Sequence, residues 1–345
     1  MTPQGPAAPG AGLTPTEPTG PPVRILMSAS VDAELRADAE RAAASGGRPA
    51  ELLLFSDHAE FAAQLRRCEV LYGRIRAGEL RGAPHLRWVH AGSAGVDGLP
   101  LGELAAAGVL LTNARGQHAD AMADHALALL LALSRRLPAF VRAQARRSWQ
   151  PAGEPGEPGE LAGRRLGILG YGAIGQAIAG RAVAFGMEVW ATRRHVARPA
   201  GPGVARLLGP GRGDLLTLLA ACDDVVSVLP STPGTRGLFD EEAFAAMRPG
   251  ARLINLGRGD LLVEAALEAA LRSGALAGAA CDCLPREPLP PEAGLWAAPN
   301  LLITPHVGGQ HPGYAQRGMA IFAANLTRYC RGLPLHNVVD LDAGY

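Results

Sequence analysis

The sequence predicts an α/β protein built from two doubly wound parallel sheets. Three observations predict it. Short apolar runs alternate with Ala-rich segments along most of the chain, the pattern of strand, crossover helix and parallel strand. The 345 residues are enough for two domains at ~150 residues each. An apolar run, a Gly-x-Gly-x-x-Gly turn and a helical run follow one another from Arg165 onward, so the second half opens like a nucleotide-binding unit.

Residues 1–22 are rich in Pro, Gly, Thr and Ala, with almost no large apolar side chains. Burial cannot offset their ordering entropy, and a disordered tail is expected. The stretch lacks the basic start and apolar segment of a secretory signal. Folding should begin at Val23–Ser28, a run suited to a buried parallel strand. "ELLLF", "VLY", "LRWVH" and "VLLT" read as the next strands. The run from Ala119 to Leu137 reads as a long apolar helix, which must be buried between domains or subunits. Pro151–Leu161 reads as an exposed loop. From Arg165 come "LGIL", "MEVWAT", "VARLL", "DVVSVL", "ARLINL", "ALAGAACDC" and "LLIT" as strands. A last helix near Pro312–Arg331 is placed to pack back on the first domain.

Composition removes several function classes. Hydrophobic residues make up 48% of the chain and aromatics 5%, so the core is mostly Ala, Leu and Val. A net charge of +1 argues against nucleic acid or a membrane surface as the main partner. No apolar run reaches the ~18 residues of a membrane span. All 33 basic residues are arginine, which excludes a lysine nucleophile, a lysine base and a Walker-type phosphate lysine. The five cysteines are few and odd in number, and Cys281 and Cys283 lack the second pair a zinc knuckle needs. Reduced thiols of a cytoplasmic protein, and no metal, are expected.

In the turn, Gly170 makes the tight bend, Gly172 lets the backbone approach a pyrophosphate, and Gly175 lets helix pack on strand. Tyr171, Ala173 and Ile174 complete the phosphate-facing segment at a helix N-terminus. The next strand should end in an acid that holds the ribose of NAD. It ends in Thr192, Arg193 and Arg194 instead. A guanidinium fork suits the extra phosphate of NADP, so NADPH is the expected cofactor, with NAD possible.

Three later residues suit reduction of a 2-oxo acid. Arg258, between a strand and a helix, can clamp a carboxylate and polarise the adjacent carbonyl. His306, just past a strand, can give the carbonyl oxygen its proton, and Glu287 can orient it.

The motifs "GILGYGAIG", "LPSTPGTRGLFD", "INLGRGDLLVEAAL", "CDCLPREPLP" and "LWAAPNLLITPHVGG" carry a resemblance to the D-isomer-specific 2-hydroxyacid dehydrogenases over nearly the whole chain after the tail. The resemblance implies two Rossmann-like domains, a dinucleotide domain (115–306) inserted in a substrate domain (23–114 and 307–345). It implies a homodimer built around the helix from Ala119. It gives Arg258 the substrate carboxylate, Glu287 the orientation of the histidine, and His306 the proton. "HAGSAGVD" resembles the loop whose amides at Ser93, Ala94 and Gly95 grip that carboxylate. Asp282 resembles the residue that holds the nicotinamide amide; Pro230, Ser231 and Thr235 resemble the segment over the cofactor. The Ser-Ala-Gly loop and Arg193 look most like glyoxylate and hydroxypyruvate reductases. Cys281 and Cys283 replace apolar residues usual beside Asp282, and "GGQHP" after His306 departs from the commoner ending. The alternatives are a non-enzymatic, dinucleotide-sensing scaffold of the same fold, or a formate or phosphite dehydrogenase.

Overall fold

The computed structural model describes residues 20–149, 157–197 and 199–345. The expected tail, up to residue 19, and part of the loop from Pro151 lie outside these residues. The chain divides into two compact units: the residues up to Ala114 with Ala315–Asp342, and Arg115–Tyr314 with Ala343–Tyr345.

The first unit holds β1 (Val23–Ser28), β2 (Ala50–Phe55), β3 (Val70–Tyr72), β4 (Trp88–Ala91) and β5 (Leu110–Asn113). They form one parallel sheet in the order β2-β1-β3-β4-β5, the flavodoxin-like variant of the doubly wound fold. Both faces are covered. Val23, Ile25 and Met27 pack in one apolar cluster and Leu26 and Leu71 in another, so β1 reads as a continuous apolar run. The helix Tyr314–Cys330 returns to this sheet with Met319, Phe322 and Leu326 buried in the first cluster. Phe322 lies 5.2 Å from the Trp88 ring.

The second unit holds β6 (Arg165–Leu169), β7 (Glu188–Thr192), β8 (Val204–Leu208), β9 (Asp224–Ser227), β10 (Ala251–Asn255), β11 (Leu276–Cys281) and β12 (Leu301–Ile303). Its order, β12-β11-β10-β9-β6-β7-β8, is parallel throughout. The order reverses between β6 and β9, the switch point where such sheets bind dinucleotides. At the opposite end of the strands, Asp224 is fully buried and accepts from Arg252 Nε at 2.5 Å and Arg164 Nε at 2.9 Å.

Two elements differ from expectation. The helix from Ala119 ends at Ser134, because Arg136 takes a left-handed φ of 56°, and a second helix runs Leu137–Ala145. The first of these helices is buried within the second unit, against the helix Ala173–Ala184 and β11. Residues 307–314, expected with the smaller domain, are fastened into the larger unit: Val307 and Gly308 donate to Asp282, and the Gly309 carbonyl accepts from His118.

Candidate active site

The glycine turn joins β6 to the helix Ala173–Ala184. Gly170 sits at φ 102°, open to glycine and strained for other residues. A Cβ on Gly175 would lie 2.2 Å from the Gly170 carbonyl oxygen, so helix and turn touch backbone to backbone. A Cβ on Gly172 would meet nothing within 4 Å, and no side chain caps the helix there. An open glycine at an uncapped helix N-terminus fits a pyrophosphate. The turn is pinned to the end of β7: Gly170 N–H donates to Thr192 Oγ1 at 3.3 Å and Tyr171 N–H to the Thr192 carbonyl at 2.8 Å. Thr192 is therefore buried and occupied within the chain.

Arg193 and Arg194 diverge. Arg193 is half-buried, with its guanidinium 5.8 Å from the Tyr171 ring and Nε donating to the His195 carbonyl. Arg194 is exposed and lies over the Tyr345 ring at 4.0 Å. The loop after β9 folds on itself: Thr235 Oγ1 donates to the Pro230 carbonyl at 2.7 Å, and Ser231 Oγ donates to Asp260 at 2.5 Å. The second bond ties this loop to the segment carrying Arg258.

That segment leaves β10 as Gly-Arg-Gly for steric reasons. A Cβ on Gly257 would come within 2.5 Å of the Leu229 carbonyl oxygen, and one on Gly259 within 1.9 Å of the Leu284 backbone. Asn255, fully buried, donates to the carbonyls of Arg258 at 3.0 Å and Cys283 at 3.2 Å. It thus staples the ends of β10 and β11 together. Arg258 is half-buried, with Nη1 donating to the Gly257 carbonyl.

Beyond β11 and β12, His306 meets Glu287. His306 Nδ1 and Glu287 Oε2 are 2.7 Å apart. The other Glu287 oxygen accepts from the Leu284 N–H at 2.9 Å, which restrains the carboxylate. Asp282 lies beneath, buried. Burial would raise its proton affinity, but His125, Thr304 and the N–H groups of Gly308 and Val307 outweigh this and hold its pKa at about 2. Cys281 and Cys283 are buried on either side, and burial pushes both thiols up to about 12.

In the other unit, Ser93, Ala94 and Gly95 follow β4. The Ser93 carbonyl accepts from Ala114 N–H, the Ala94 carbonyl from Asn113 Nδ2, and the Gly95 carbonyl from Ser93 Oγ. The three N–H groups donate to no acceptor among the described residues.

The second unit thus gathers Arg258, Glu287 and His306 at the carboxyl ends of adjacent strands. Asn255, which bonds to the Arg258 carbonyl, His125, which bonds to Thr304, and Asp260, which bonds to Ser231, support these strand ends and were missed in the sequence. A polar side chain in an otherwise apolar run, as in "INL" and "DHALALL", was the available signal for the first two.

A sequence profile for the NAD binding domain of the D-isomer specific 2-hydroxyacid dehydrogenases matches residues 127–308. The glyoxylate reductase of Thermococcus onnurineus is 37% identical over 272 residues, 76% of this chain and 79% of that one. The D-3-phosphoglycerate dehydrogenase of Mycobacterium tuberculosis is 37% identical over 234 residues, 68% of this chain; the match spans only 43% of that longer protein. A D-isomer specific 2-hydroxyacid dehydrogenase from Xanthobacter autotrophicus Py2, solved with NADPH and MES, superposes with a TM-score of 0.75 at 30% identity, covering 94% of this chain and 99% of that one. With that fold and these strand-end residues, the chain belongs to the D-isomer specific 2-hydroxyacid dehydrogenase family. No helix among the described residues is long and apolar enough to cross a membrane.

Proposed function

We propose that the protein is an NADPH-preferring reductase of a small 2-oxo acid, of the glyoxylate or hydroxypyruvate type, giving the D-2-hydroxy acid. The observation that carries this reading is the His306–Glu287 pair at 2.7 Å, with Arg258 stapled by Asn255 to the neighbouring strand end. A bound reduced nicotinamide supplies the hydride to the carbonyl carbon. The chain supplies the rest. The Arg258 fork binds the substrate carboxylate and draws charge from the adjacent carbonyl. With Nδ1 held by Glu287, Nε2 is the nitrogen of His306 left to carry the proton to the carbonyl oxygen. The N–H groups of Ser93, Ala94 and Gly95, which meet no acceptor among the described residues, support their expected grip on a carboxylate.

In this reading the larger unit would hold the cofactor, with Gly170–Gly175 taking its pyrophosphate and Arg193 its ribose phosphate. The glyoxylate reductase relative and the NADPH-bound structural relative support that choice. A homodimer is supported by the helix Leu137–Ala145, whose Leu137, Phe140 and Val141 form an exposed apolar stripe at helical spacing. The test is a steady-state panel with the purified protein. Glyoxylate, hydroxypyruvate and the oxo acid corresponding to D-3-phosphoglycerate are each offered with NADPH and with NADH. The reading expects turnover on one of the first two, more efficient with NADPH. Turnover on none of them would overturn the reductase reading, and an NADH preference would overturn the cofactor choice.

A further inference from the structure

Cys283 lies close enough to the His306–Glu287 pair to join it in a donor set. Cys283, Glu287 and His306 each offer a ligand atom, and these atoms lie within 4.8 Å of one another. We propose that Cys283, Glu287 and His306 form a binding site for a thiophilic divalent cation of the Zn2+ type, and that the bound cation switches off the proton donor.

Spacing along the chain hides this site. Cys283 and Glu287 come from the segment after β11, and His306 from the segment after β12, which pairs with β11. One ligand is buried and two are exposed. Cys283 is 2% exposed, with its carbonyl held by Asn255, whereas the His306 and Glu287 side chains are 51% and 38% exposed. Bond lengths of ~2.0–2.3 Å in a tetrahedral zinc site place ligand atoms ~3.4–3.6 Å apart. The two exposed side chains therefore need to shift toward Cys283 by roughly 1 Å, and the His306–Glu287 pair, 2.7 Å apart, has to open.

The donor types decide which ion fits. Thiolate and imidazole favour Zn2+ over Mg2+ or Ca2+, which prefer oxygen ligands. Three protein ligands leave a fourth position for water. On binding, the Cys283 thiol loses one proton to solvent, and its thiolate together with the Glu287 carboxylate balances the two charges of the ion. No electron is transferred. His306 must offer the ion an unprotonated nitrogen and give up its hydrogen bond to Glu287. An imidazole committed to the ion no longer donates a proton to a carbonyl. This inhibitory consequence rests on the reading of His306 as the acid; the binding site itself does not.

The experiment titrates the full-length, chelator-treated protein with Co2+, whose tetrahedral thiolate complexes absorb in the near ultraviolet by charge transfer. The parent should develop this band, saturating at one equivalent, and Zn2+ should displace it. Cys283→Ala should lose the band and weaken binding by more than about a hundredfold, beyond the ~10–100-fold cost of losing an outer partner. Cys283→Ser, which keeps the size, should lose the band as well. Cys330→Ala, at a half-buried thiol in the other unit, should keep it. In turnover assays, each protein measured against its own metal-free rate, Zn2+ should inhibit the parent reversibly and spare Cys283→Ala. A parent without the band, a band that survives loss of Cys283, or equal Zn2+ inhibition of Cys283→Ala overturns the proposal. The spectrum needs no substrate, so it decides the site even if the reductase reading fails.

Discussion

The backbone N–H of His306 donates to the carbonyl of Asp282 at 2.9 Å, and the next two N–H groups donate to the carboxylate of the same residue. Val307 reaches Oδ1 at 3.0 Å and Gly308 reaches Oδ2 at 2.9 Å. One buried aspartate thus fixes three consecutive residues. The constraint matters because His306 sits at φ 53°, a left-handed conformation that costs a residue with a Cβ ~1–2 kcal/mol. A second N–H bond, to the Thr304 carbonyl at 3.0 Å, holds it there. In the proposed reaction, Asp282 would act through the position of His306, in addition to any contact with the nicotinamide amide.

Asp282→Asn should lower turnover more than it lowers cofactor affinity. The amide keeps the shape but replaces an acceptor with a donor facing N–H groups. At least one buried N–H loses its partner, at ~1–3 kcal/mol, so turnover is expected to fall about ten- to a hundredfold. Acid stability gives a second readout. The folded pKa of about 2 lies below the ~3.9 of a free aspartate, so charged Asp282 stabilises the fold above that value. This contribution is lost as pH falls through the window down to about 2. The melting-temperature gap between parent and Asp282→Asn should narrow across that window; a constant gap would count against the assignment.

The two later glycines of the turn separate folding from binding. Ala at position 175 would press its Cβ onto the Gly170 carbonyl at 2.2 Å, and Gly175→Ala should destabilise the protein by ~1–3 kcal/mol. Ala at position 172 meets no protein atom, at a φ of −92° that alanine accepts. Gly172→Ala should keep the parent melting temperature and lose cofactor affinity, roughly tenfold or more, because its methyl group occupies the pyrophosphate approach. Calorimetric melting and cofactor titration of both variants check this. A Gly172→Ala protein that binds cofactor like the parent would remove the pyrophosphate from that position.

The strands and the glycine turn were legible because apolar run length and turn chemistry are local properties. The end of the helix at Ser134 was not. No glycine marks the left-handed Arg136, and the apolar pattern runs on through Leu137. The pairing of His306 with Glu287 was legible as residue types, but its support was not. Asp282, Asn255 and Asp260 act across neighbouring strand ends, and strand order is not written in any one segment. Thr192 illustrates the same limit. Its place at the end of β7 pointed to the ribose, while its hydroxyl accepts from Gly170. The two arginines after it look equivalent in sequence and face different rings in the fold.

That divergence predicts unequal roles for the arginines. Arg193, beside the Tyr171 of the turn, should carry most of the selectivity for NADPH. A charge-assisted bond to phosphate is worth ~1.5–3 kcal/mol, discounted here for solvent screening. Arg193→Ala should therefore cut catalytic efficiency with NADPH about tenfold and leave NADH nearly unchanged. Arg194→Ala, which removes a contact to Tyr345, should change the ratio by less than about threefold. Efficiencies with both cofactors in each variant decide it, and an unchanged ratio in Arg193→Ala would return that residue to the solvated surface.

The most direct test of the central claim is turnover by His306→Gln with saturating NADPH and the best substrate of the panel. Glutamine keeps a polar side chain of similar size but has no proton to give as an acid. The account predicts a loss of roughly a hundredfold or more in turnover, the usual scale for general acid catalysis, with NADPH affinity unchanged. A His306→Gln protein that reduces the substrate at the parent rate would contradict it.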